Sequence, residues 1–254
     1  MTQRFSMLIS LLIVGLGSLP LSAQPLGASD IVKKADEKFN GEKSSYSVMA
    51  MTIIRPTWKR TIEFKNWSFG RDFALTLITS PAKEAGQTFL KRGPEMWSWN
   101  PSISRLVKLP PSMMSQGWMG SDYTNDDILK ESSVVKDYTH EIVGEENIGE
   151  RLCYKIKMTA KADASIVWGK QFRWIDKKDF LVLKAELYDE DGSLVRTESG
   201  SNIKVMDGRA ITTKIELVPV EDPDNKTLIE IREIKFNVPV DESYFSQQNM
   251  KRVR

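Results

Sequence analysis

The chain has 254 residues, with 36 Lys and Arg against 34 Asp and Glu, one His, one Cys and a formal net charge of +2. The charges are interspersed, which argues against a nucleic-acid or anionic-membrane partner, and a lone cysteine excludes an internal disulfide. Some 230 residues beyond an export signal suffice to bury one core, especially in an all-β domain.

The first residues read as that signal. Arg4 supplies the positive end, residues 5–16 are almost wholly apolar, and Ala23 offers a small residue for cleavage. Gly15, Gly17 and Pro20 interrupt the run, which is shorter than the roughly 20 apolar residues a membrane span requires. The expectation is a signal peptide over residues 1–23, removed on export, and a soluble single domain over residues 24–254. Cys153 lies far downstream, so it cannot carry lipid at a new N-terminus. Its neighbours Leu152, Tyr154 and Ile156 point to a buried, inert thiol.

Ser29 is the expected cap of a short amphipathic helix whose Ile31, Val32, Ala35 and Phe39 share one face, stopped at Asn40-Gly41. From Tyr46 the period changes to two. Residues 46–55, 58–69 and 72–79 read as strands, and in the third Phe73, Leu75, Leu77 and Thr79 share a face. The first strand is apolar on both sides, with Met49, Met51 and Ile53 opposite Val48, Ala50 and Ile54. It must be covered twice, or line a cavity within a curved sheet.

Residues 86–91, 96–99 and 104–109 continue as strands until Pro110-Pro111 launches a loop carrying Met113, Met114, Trp118 and Met119. So many large apolar side chains in a Gly/Pro/Ser-rich connection need a cover. Either the loop plugs the protein's own core, or it forms an adaptable, Met-lined mouth for an apolar ligand. Thr124 then caps a short helix, with Asp127 as the acidic half of a capping box, so Asp126 and Asp127 read as structural.

Regular hairpin punctuation follows. Strands are expected over residues 141–143 and 152–158, 167–176, 180–188 and 194–198, 203–206 and 210–218, and 228–237, an antiparallel meander without a linker or internal repeat.

Three stretches resemble one family. Thr88-Phe89-Leu90, then Trp97-Ser98-Trp99-Asn100-Pro101 with Arg105, then Trp118-Met119-Gly120-Ser121-Asp122-Tyr123 are similar to the bacterial outer-membrane lipoprotein-sorting proteins of the LolA/LolB-like type. The closing run from Val240 to Phe245 fits the same likeness. The resemblance implies a mainly β fold in which a curved antiparallel meander forms an incomplete β-barrel, with helices over its open side. It further implies a periplasmic monomer that carries acyl chains of lipoproteins or other lipids, loads from an inner-membrane transporter and unloads at an outer-membrane acceptor.

Catalytic signatures are missing. There is no Gly-x-Ser-x-Gly elbow, phosphate loop or dinucleotide fingerprint. His140 stands alone, far from the His-rich set of a zinc site, and Asp122, Asp126 and Asp127 lack the remainder of an EF-hand loop. The reading is a non-enzyme without cofactor or metal. The apolar material provides the candidate site instead. Met49 and Met51, then Phe73, Leu75 and Leu77, then Trp97 and Trp99 are the candidate cavity wall, and Met113, Met114, Trp118 and Met119 its lid. A lipid-sensing or protein-interaction module is the alternative, and an unrecognised hydrolase a third reading, because 34 acids always offer some carboxylate pair.

Overall fold

The computed structural model describes residues 26–130, 134–162, 164 and 167–254. The expected signal peptide lies outside the described residues. A helix α1 (Ala28–Asn40) precedes β1 (Ser44–Arg55), β2 (Trp58–Phe69), β3 (Phe73–Ser80), β4 (Thr88–Arg92), β5 (Glu95–Asn100) and β6 (Arg105–Lys108). After a connection containing α2 (Asn125–Lys130) come β7 (Tyr138–Ile148), β8 (Arg151–Ala160), β9 (Lys170–Asp176) and β10 (Val182–Tyr188). The chain continues with β11 (Leu194–Met206), β12 (Arg209–Pro219), β13 (Lys226–Phe236) and a terminal turn of helix α3 (Gln247–Met250).

All described strands join one antiparallel sheet in the order β6-β5-β4-β3-β2-β1-β13-β12-β11-β10-β9-β8-β7. The sheet curves without closing, giving an incomplete barrel. It consists of two meanders joined where the first strand pairs with the last, Met51 opposite Ile229 and Ala50 opposite Glu230. β6 and β7 follow each other in the chain but occupy opposite edges of the sheet. Twelve inter-strand steps of about 4.8 Å would separate those edges by roughly 58 Å if the sheet were flat. The described parts of the connection, residues 109–130 and 134–137, accordingly lie over the inner face of the curved sheet.

Both faces of the first meander are covered. On the inner face Met51, Ile53, Ile62, Phe64, Ile78 and Met96 pack beneath the crossing segment. On the outer face Leu75, Leu77 and Leu90 pack beneath Phe245, Met250 and Val253 of the C-terminal segment, where Thr88 Oγ1 donates to the Met250 carbonyl at 3.0 Å. Two-sided burial explains why these strands are apolar on both faces. On the second meander α1 lies inside, with Ile31, Val32 and Ala35 against Tyr138, Ile156, Met158 and Ile175. Each buried side chain of this size contributes about 1.5–3 kcal/mol.

Three local expectations are corrected. Gly27, not Ser29, occupies the N-cap of α1, with no side-chain cap bond; Ser29 Oγ instead meets His140 Nδ1 at 3.1 Å, while His140 Nε2 lies 2.9 Å from the Val134 carbonyl. Thr79 does not share a face with Leu77. The pairing slips between Glu63↔Ser80 and Phe64↔Ile78, so Thr79 bulges out and Ile78 turns inward, fully buried. Residues 199–202 are not a gap between two strands, because β11 runs continuously through them. Gly200 is there for close approach rather than for a turn: an added Cβ would lie 2.6 Å from the Val182 carbonyl oxygen and 2.7 Å from Thr212 Cγ2.

Candidate functional site

The crossing segment divides the inner face. Its first half is a plug. Trp118 is 5% exposed and meets Phe64 and Phe89 edge-on, ring centres 5.6 and 5.5 Å away. Polar contacts to the sheet secure the plug. Arg55 at the end of β1 holds Asp122 with a two-pronged pair of 2.9 and 3.1 Å, Thr227 Oγ1 donates to the same carboxylate at 2.7 Å, and the Arg60 guanidinium donates to the Met119 carbonyl. Asn125 Nδ2 donates to the Met113 carbonyl at 2.9 Å, folding the segment on itself.

The second half is an ion-paired strut. Thr124 and Asp127 form the expected reciprocal capping box: Asp127 N–H donates to Thr124 Oγ1 at 3.0 Å and Thr124 N–H to Asp127 Oδ2 at 2.9 Å. Asp127 does more than cap. Arg196 of β11, 5% exposed, donates to its Oδ2 at 2.6 Å and pairs with Glu198 at 3.0 Å; Trp168 Nε1 donates to its Oδ1 at 2.8 Å. The guanidinium lies 4.6 Å from the Trp168 ring centre and 5.3 Å from that of Tyr123. Burial alone would raise the Asp127 carboxyl, but the Arg196 charge and the bonds from Arg196, Thr124 and Trp168 outweigh it and hold the group below the usual carboxylate range. Arg196 is likewise pushed up by Glu198 and Asp127 against its desolvation.

Beyond this strut the inner face holds a cavity of about 220 Å³. Ala35 and Phe39 of α1 wall one side, Tyr123 and Ile128 of the crossing segment another, and Ala185 and Leu187 of β10 form part of the floor. Gln171 and Arg173 of β9 line it beside the polar groups of Asp127, Arg196, Glu198 and Thr212. Among the described residues no group of three or more His, Cys, Asp or Glu could hold a metal ion, and no helix is long and apolar enough to cross a membrane.

The structure divides the candidate residues between two places. Met49 and Met51 face inward and share a cluster with Trp118 and Met119; Met113 and Met114, half-buried, belong to the same crossing segment. Phe73, Leu75, Leu77, Trp97 and Trp99 lie on the opposite face, under the C-terminal segment. Register decides this: Leu75 pairs with Trp67 and Leu90, and Leu90 with Trp97, so all point away from Met51 and its partner Ile62. None of the eleven lines the cavity.

The residues that do line it gave little signal. In Gln171-Phe172-Arg173-Trp174 the aromatic pair looks like the inward one, yet Phe172 and Trp174 face outward beneath Lys155, Lys170 and Lys184. Cys153 is fully buried beside Trp174, and burial pushes its thiol up.

A family model described only as an uncharacterized protein matches residues 70–252. No curated protein matches the chain. Among solved structures, a DUF1329 family protein from Desulfovibrio piger is similar at 26% identity and TM-score 0.79, covering 88% of this chain and 97% of that one. An outer membrane lipoprotein-sorting protein domain from Vibrio parahaemolyticus aligns at 21% identity and TM-score 0.77, covering 89% and 98%. A LolA superfamily protein from Nitrosomonas europaea aligns at 24% identity and TM-score 0.74, covering 88% and 99%.

Proposed function

We propose that this chain, which belongs to the uncharacterized-protein family matched over residues 70–252 and has the LolA-type lipoprotein-sorting fold, is a periplasmic carrier of acyl chains. It binds a lipoprotein's chains or another lipid in the inner-face cavity and takes them toward the outer membrane. The supporting observation is that cavity, walled by α1, floored by the sheet and bounded by the ion-paired strut at Asp127.

Shielding is the mechanism. Each CH₂ kept from water is worth about 0.8 kcal/mol, so an acyl chain does not travel exposed. No reacting group is needed, and turnover is not part of the proposal. At about 220 Å³ the cavity is smaller than the ~300–1,000 Å³ of typical ligand sites, so loading requires α1 or the strut to move outward. A carrier that must also release its cargo benefits from a ligand-gated opening of this sort. In this scheme a signal peptide exports the chain, an inner-membrane transporter loads it and an outer-membrane acceptor unloads it.

Mass spectrometry of an organic extract of protein purified gently from the periplasm tests the reading. The expected result is acylated peptide or lipid at near one per protein, lost in Ala185→Phe, which fills the cavity floor, with the thermal transition kept as the folding control. A reproducibly empty protein that still captures a protein partner would overturn the carrier in favour of an interaction module.

A further inference from the structure

Arg173 occupies an inward position of β9, opposite Ile156 of β8 and Ala185 of β10, and it lines the cavity half-buried. Its Nε donates to Gln171 Oε1 at 3.1 Å. Gln171 is 3% exposed and is fixed in turn, its Nε2 donating to Tyr138 Oη at 2.9 Å; the Tyr138 hydroxyl donates to the Trp168 carbonyl at 3.0 Å. This relay engages one N–H of the guanidinium and orients its plane. The four N–H groups of the terminal fork meet no acceptor among the described residues, and no carboxylate there pairs with Arg173.

Three of the cavity's acids are committed elsewhere: Asp127 and Glu198 pair with Arg196, and Asp36 pairs with Arg71. Lys38 of α1 lines the same space and adds positive charge, whereas Lys184 is paired with Glu186. A guanidinium fork is shaped to take two oxygens of a carboxylate or phosphate side by side. Here such a fork stands half-buried in a cavity with apolar walls at Phe39, Ala185 and Leu187, and no described carboxylate serves as its counter-ion.

We infer that the cavity is a receptor for a single-chain amphiphile with an anionic head, a carboxylate or a phosphate monoester, whose oxygens pair with the terminal N–H groups of Arg173. The chain lies along the wall made by Phe39, Ala185 and Leu187. This rests on the carrier reading and narrows its cargo. A single chain asks the least outward movement of a cavity of about 220 Å³, and the guanidinium fork selects charge at its end.

Isothermal titration calorimetry of the purified protein at neutral pH with laurate, lauryl phosphate, dodecanol and inorganic phosphate tests it. Laurate and lauryl phosphate bind at least roughly tenfold more tightly than dodecanol, as a desolvated charge-assisted pair requires, and inorganic phosphate binds far more weakly than lauryl phosphate. Arg173→Gln removes the preference for laurate over dodecanol. Arg173→Lys, which keeps the charge but loses the fork, falls between, and circular dichroism shows that both variants fold.

Equal binding of laurate and dodecanol, or an Arg173→Gln protein that retains the preference for laurate, overturns the inference while the carrier reading stands. Inorganic phosphate binding as tightly as lauryl phosphate overturns the lipid part of it. If no amphiphile binds but the periplasmic extract contains a multi-chain lipid, the inference falls alone. If no amphiphile binds and the extract is empty, both readings fall.

Discussion

Asp127 shows how one side chain serves two levels of structure. It caps α2 locally and closes a buried pair with Arg196 across the curved sheet. Asp127→Asn keeps the cap's shape but removes the charge. The expected cost is about 3 kcal/mol, the low end for breaking a buried pair because Glu198 remains beside Arg196. The effect depends on pH in a definite direction. The folded carboxyl titrates below its ordinary value, so its contribution is complete above the unfolded value of about 3.9 and is lost as pH falls through the lower folded one. Thermal melts from neutral pH into acid should therefore show the wild type and Asp127→Asn well separated near pH 7 and converging below about pH 4. A gap that persists unchanged in acid would remove Asp127 as the titrating group.

At the scale of elements, the sequence leaves the Met/Trp loop as either a plug of the core or a mouth for a ligand, and its residues pack as a plug beside, not around, the cavity. The first half of the crossing segment fills the core through Trp118, held by Arg55 and Arg60, and its second half is the strut over the cavity. The two halves should respond differently to substitution. Trp118→Ala removes a 5% exposed indole from between Phe64 and Phe89, with an expected cost of about 3–5 kcal/mol, read as a lower denaturant midpoint. Met113→Ala, at a half-buried position of the same segment, should cost much less. Equal losses at the two positions would mean that the plug is not anchored by its indole. The capping box at Thr124 and Asp127 was legible because caps are local, i to i+3, chemistry. The pair with Arg196, 69 residues away, was not.

Over the whole molecule, the central strands are held by hydrogen bonds on both edges, whereas α1 is held to the sheet by its side chains. β1, β2 and β13 lie side by side at the sheet's middle, and the inward residues Met51, Ile53 and Ile62 are fully buried. Helix α1 holds the inner face chiefly through Ile31, Val32 and Ala35. Hydrogen exchange should accordingly release α1 amides at lower free energy than those of β1 and β13, with bound amphiphile slowing α1 selectively. Uniform exchange across α1 and the central strands would exclude α1 as a moving wall.

The residue pattern was enough for a mainly β chain of successive hairpins, a leading amphipathic helix, a capped α2 and a family likeness carried by Trp97, Trp99 and the run from Trp118 to Tyr123. All of these rest on interactions between near neighbours, which periodicity and turn chemistry record. Long-range pairing lay beyond that reach. The union of β1 with β13 places β6 and β7 at opposite edges and lays the segment from Leu109 to Ile128 over the inner face, and the register assigns Leu75 and Trp97 to one side of the sheet and Met51 to the other. Alternation says that two faces differ but not which is concave, since inward and outward residues obey the same period of two. For that reason the cavity, with Arg173 and Arg196 on its walls, became visible only once the sheet had curved.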